Sequence, residues 1–111
     1  MLHYHVWFNL KAEILETEGL NTVKRFLKTL CTDGEARSFE SLRNHGEPPG
    51  SKLPRYHALI KFNDQAHFTD AMKAQAGRGI HAGTHGEIIK DVTDFHVEIF
   101  SEITDPPQPA R

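Results

Sequence analysis

With 111 residues, 13 Lys plus Arg against 15 Asp plus Glu and a formal net charge of -2, the chain has room for one ordinary domain and offers no electrostatic case for a nucleic-acid or anionic-membrane partner. Its single cysteine, Cys31, excludes an intrachain disulfide and a cysteine-built metal cage, and it favours a reducing compartment. No apolar run approaches the length of a membrane span, and the N-terminus lacks the basic start and small-residue cleavage site of a secretory signal, so the chain reads as soluble and cytoplasmic.

Residues 2–10 alternate strictly. Tyr4, Val6, Phe8 and Leu10 fall on one side of a strand, and His3, His5, Trp7 and Asn9 on the other. From Thr17 to Thr32 the apolar positions Leu20, Val23, Phe26, Leu27, Leu30 and Cys31 recur at spacings of three and four, which predicts a helix that Asp33-Gly34 stops. Cys31 lies on that apolar stripe and reads as core, not as a nucleophile. Residues 36–43 form a less apolar second strand suited to a sheet edge, and residues 44–54, with three prolines and two glycines, a loop.

RYHALIKF, residues 55–62, alternates again, with Tyr56, Ala58, Ile60 and Phe62 opposite Arg55, His57, Leu59 and Lys61. Asn63 or Asp64 caps a second helix through about Ala76, with Phe68, Ala71, Met72 and Gln75 inward and Gly77 and Gly79 ending it. The segment from Thr84 to Glu87 has the spacing of a capping box and suggests one or two further helical turns. DFHVEIF is the last strand, with Phe95, Val97 and Ile99 inward, and the proline-rich tail 105–111 is expected to be disordered beyond a single domain at 1–104.

Strand, helix, strand, strand, helix, strand is the α+β, ferredoxin-like βαββαβ plan: a four-stranded antiparallel sheet with two helices on one face. The apolar rows of strands 1, 3 and 4 then meet the helices, and the row bearing His3, His5 and Trp7 is left without a covering layer. With strand 1 set between strands 3 and 4, and drawn parallel to strand 3, His5, His57 and Glu98 become neighbours. Trp7 and Asn9 then face His96 and Lys61, and the edge strand adds Ser41 and Arg43. Two imidazoles and a carboxylate suit a divalent metal, which makes His5, His57 and Glu98 candidate ligands. They equally suit proton transfer, with His5 and His57 as acid/base residues. A third reading is a solvated or interface face whose histidines only hydrogen-bond across the sheet. His81 and His85 in GIHAGTHGE have helical ligand spacing, but Gly83 and Gly86 argue for a loop at the rim, and the zinc-protease pattern is missing.

HYHVWFNL, PRYHALIKF and DFHVEIF, in this order of elements, resemble the dimeric α/β-barrel superfamily. They are most similar to small bacterial families of unknown function close to the stress-responsive barrel and antibiotic-biosynthesis monooxygenase proteins. The resemblance covers residues 1 to about 103 and rests on plan and periodicity. It implies a homodimer whose open sheet faces pair across a twofold axis and enclose a cavity. The superfamily includes cofactor-independent oxygenases, haem-degrading enzymes, polyketide cyclases and lactone isomerases, so fold does not choose among them. Some cyclases use a barrel histidine and tyrosine, yet Tyr4 and Tyr56 both fall on the core side, and no position gives an unambiguous haem ligand. The resulting expectation is a homodimer without a required cofactor. It would bind a small aromatic or carboxylate-bearing molecule through His3, Trp7, Asn9, Arg55, His96, Glu98, His81 and His85, with acid/base chemistry at His5 and His57. The competing readings are a non-enzymatic dimerisation or protein-interaction module with no pocket, and an RNA-binding sheet, for which only Trp7 is available to stack a base.

Overall fold

The structure, a computed structural model, describes residues 1–46, 49–50, 52–78 and 90–103. Its elements follow the order β1 (Leu2–Leu10), α1 (Glu16–Thr32), β2 (Ser38–Arg43), β3 (Tyr56–Phe62), α2 (Gln65–Arg78) and β4 (Val92–Ser101). They build one four-stranded sheet in the order β2-β3-β1-β4, the ferredoxin-like arrangement. The helix ends obey local chemistry. Gly34 takes φ 75°, which closes α1 while the Glu35 amide donates to the Leu30 carbonyl at 2.9 Å. Asp64 caps α2 by accepting the His67 amide at 2.8 Å. Gly77 does not stop α2, which continues to Arg78.

Every neighbouring pair of strands is antiparallel. The parallel setting of strands 1 and 3 expected from sequence is therefore wrong. The helical crossover returns the chain so that β2 runs in the same direction as β1, and the β2–β3 hairpin then reverses it once, so β3 runs against β1. His5 lies opposite Leu59, and Trp7 opposite His57. On the other side of β1, His5 pairs with Glu98, and Trp7 with His96. Ser41 and Arg43 pair with Ala58 and Tyr56 on the helix side, so they do not contribute to the histidine face as expected; Arg43 instead bonds Glu16 at the start of α1.

The core lies between the sheet and the helices. Phe62, 1 % exposed, sits at its centre with Leu2, Phe8, Ala58 and Ile60 from the sheet and Val23, Leu27 and Leu30 from α1. Gly19 brings α1 close to β1, since a Cβ there would stand 2.6 Å from the end of Leu10. Phe68 anchors α2 over β1 and β3 through Tyr4 and Phe62, with ring centroids 5.5 and 5.2 Å apart. The outer strand is less covered than its pattern implied. Phe95, Val97 and Ile99 occupy the helix side but remain 54, 41 and 50 % exposed, because the α2 anchor stands over the inner strands. The capping box at 84–87, His81, His85 and the tail at 105–111 lie outside the described residues.

Candidate functional site on the open sheet face

The sheet face away from the helices carries a continuous floor of rings. Trp7 stacks on His57 with centroids 4.5 Å apart and planes 15° from parallel, while His5 lies 5.6 Å from Trp7 in a near-parallel plane and meets His57 edge to edge at 5.0 Å. His3 extends the floor from His5 at 6.3 Å, Phe100 meets His5 edge-on at 4.8 Å, and His96 lies 5.5 Å from Trp7. Strand alternation alone puts these six rings on one side, and cross-strand pairing brings them into contact.

Within the floor, His5 Nδ1 and His57 Nε2 are 2.8 Å apart. One nitrogen donates and the other accepts, so the bond persists only while at least one of the two is unprotonated. Partial burial pushes both imidazoles below the ordinary histidine value of 6.5; the charge of His3 adds to the effect at His5, and that of His5 adds to it at His57. The pair is therefore held neutral near pH 7. His5 and His57 meet diagonally, two residues off the directly opposed pair Trp7–His57, which is why reversing the direction of β3 did not separate them.

The other predicted residues divide. His96 Nε2 contacts the Glu98 carboxylate at 2.8 Å, and His3 contacts Glu102 at 3.2 Å. Glu98 is thus turned to His96 while His5 and His57 bond each other, so the metal trio expected from sequence is not gathered. Among the described residues no three histidine, cysteine, aspartate or glutamate side chains form a group suited to a metal ion. Asn9 braces the end of the floor: its amide donates to Asp94 Oδ2 at 3.0 Å, and its carbonyl accepts the Arg55 backbone amide at 2.8 Å.

Asp94 is a residue the sequence reading missed. It takes φ 57° at a register shift in β4, where one extra residue is inserted between the pairs Trp7–His96 and Asn9–Thr93. A signal was present, because Val92 and Phe95 are both apolar at odd spacing and reach the helix side together only across a bulge. Beside the bulge opens a cavity of about 540 Å³ lined by Asn9, Lys52, Leu53, Pro54, Arg55, Asp94 and His96. A second cavity of about 490 Å³ lies on the helix side, with an almost wholly apolar wall that includes Val6, Phe26, Met72, Phe95 and Val97. Its polar groups are Tyr4 and Gln75, and burial raises the Tyr4 hydroxyl above its ordinary value. Burial likewise raises the Cys31 thiol, consistent with a core residue and not a nucleophile.

Comparison with known structures agrees on the fold. A dabb family protein with a ferredoxin-like fold from Mesorhizobium loti is 18 % identical with a TM-score of 0.69, over 93 % of this chain and 97 % of its own. A protein from Arabidopsis thaliana is 7 % identical with a TM-score of 0.75, over 94 % of this chain and 97 % of its own. A dimeric ferredoxin-like protein of unknown function from Thermobifida fusca is 10 % identical with a TM-score of 0.65, over 91 % and 90 %. No curated protein matches the chain. No described helix is long and apolar enough to cross a membrane. Residues 1–111 match a family of unknown function, DUF6614.

Proposed function

The chain belongs to the DUF6614 family, whose description assigns no activity, and from the chemistry of its open face we propose a homodimer that binds a small planar molecule over the ring floor. The observation that carries this reading is the His5–His57 hydrogen bond at 2.8 Å, packed against Trp7 on a sheet face that no described helix covers. A sheet face bearing a half-buried indole and several half-buried imidazoles, covered by no described helix, leaves part of its ring surface in water, and a second copy of the same face removes it symmetrically. The Thermobifida fusca relative in fold is described as dimeric, which supports the same assembly here.

Within such a dimer the neutral His5–His57 pair is suited to acid/base work. One unprotonated ring nitrogen accepts a proton from a bound acid, and the partner imidazole disperses the charge through their shared hydrogen bond. No metal is required for that step. Native mass spectrometry of the purified protein tests the reading. A dimer carrying extra mass, released on denaturation and absent from the His5→Ala/His57→Ala double variant, is the expected result. A monomer, or a bound molecule indifferent to both substitutions, would overturn it.

The helix-side cavity favours a second reading, in which an apolar molecule binds between α1, α2 and β4 and the open face serves dimerisation alone. Apolar concavity with one buried hydroxyl is a common form of ligand site. A bound mass lost in Val97→Trp but kept in the histidine variants would select this reading.

A further inference from the structure

The cavity beside the Asp94 bulge gives the ligand of the open face a polar end. It adjoins the ring floor through His96, which lines the cavity and lies 5.5 Å from Trp7. A planar molecule on Trp7 and His57 therefore reaches the cavity directly. Two permanent cations line it, Lys52 and Arg55. Lys52 has no ion-pair partner among the described residues, and Arg55 approaches Glu16 through Nε at 3.8 Å, the outer limit of an ion pair. The acidic member, Asp94, is engaged by the Asn9 amide at 3.0 Å, and His96 is engaged by Glu98 at 2.8 Å. Asn9 is itself fixed at both ends, so the acidic side of the cavity is braced.

We infer that this cavity is an acid-group subsite, and that the molecule taken by the open face is a planar aromatic carboxylate: its ring lies on Trp7 and His57 while its carboxylate is held between Lys52 and Arg55. The inference rests on the ring-floor reading above and adds the substrate class. A carboxylate matches a guanidinium and an ammonium in charge and in hydrogen-bond capacity, with the planar fork of Arg55 supplying orientation. A neutral aromatic of the same size would keep the stacking and forgo the two charge-assisted bonds.

Trp7 is the only tryptophan in the chain, so its fluorescence reports on the floor alone. The experiment titrates the full chain with 4-nitrobenzoate and, separately, with 4-nitrobenzyl alcohol, two quenching probes of similar ring and opposite polar end. The expected result is saturable quenching by both, with the acid bound at least tenfold more tightly. Lys52→Ala and Arg55→Ala should each weaken the acid about tenfold and leave the alcohol unchanged, the loss of one charge-assisted hydrogen bond. Equal affinity for acid and alcohol would overturn the acid subsite and leave the ring floor standing. Absence of saturable quenching by either probe would overturn the floor reading and this inference with it.

Discussion

The two faces of β1 solve different problems with alternate residues of one strand. On the helix side Leu2, Phe8 and their neighbours are packed against Phe62, Ile60 and α1. On the other side His3 neighbours His5, His5 neighbours Trp7, and Trp7 stacks on His57, all half-covered and facing outward. The first arrangement is stabilised by burial of apolar area, roughly 25 cal/mol for each Å². The second gains little from burial within one protomer, so its cost is reasonable only if a partner or ligand completes it. A face built for stability and a face built for contact should therefore respond differently to the same kind of substitution.

The largest difference is expected in the core. Phe62→Ala should cost about 3–5 kcal/mol of folding stability in chemical denaturation, because a large ring is removed from the tightest-packed site. His57→Ala on the opposite face of the same strand should cost only about 0.5–1.5 kcal/mol, the net worth of one hydrogen bond, while abolishing retention of a bound molecule. Comparable stability losses would break the contrast between the faces.

An intermediate effect is expected from pH. The imidazoles of His5 and His57 titrate below 6.5 when folded and near 6.5 when unfolded. Between the lowered folded values and 6.5 the unfolded chain binds more protons, so stability should fall as pH drops through that window and level off below it. Denaturant midpoints measured from pH 7.5 downward should show this slope, and His57→Gln should reduce it. The smallest effect belongs to Glu16, an exposed carboxylate whose affinity for protons is lowered first by the Tyr56 hydroxyl and then by Arg43 and Arg55. Its contribution is present above the ordinary carboxylate range and lost as pH falls through its depressed value, so Glu16→Gln should slightly reduce acid sensitivity.

Much of this contrast was legible in the order of residues. Period-two alternation in HYHVWFNL and RYHALIKF separated the faces correctly, because a strand leaves no other choice for i and i+2. The neighbour relations of His5 with Glu98 and Trp7 with His96 also followed from topology. Strand direction was misjudged between β1 and β3, and Ser41 and Arg43, whose face is set by the register of β2 on β3, were assigned to the wrong side. Tertiary connection, not local pattern, decides both. The bulge at Asp94 was hidden for a different reason: a single inserted residue changes phase without changing composition, and only the spacing of Val92 and Phe95 betrays it. Lys52 was passed over as part of a proline-rich loop, since its approach to Asn9 and His96 depends on how that loop folds back.

The central claim is that the ring floor is a contact face completed by a second copy of the chain. Sedimentation equilibrium of the wild type and of Trp7→Glu tests it most directly, with circular dichroism confirming that both are folded. The expected result is a dimer for the wild type and a folded monomer for Trp7→Glu, because a carboxylate at the centre of a twofold face meets its own image. A wild-type monomer, or a Trp7→Glu variant that remains dimeric with wild-type affinity, would contradict it.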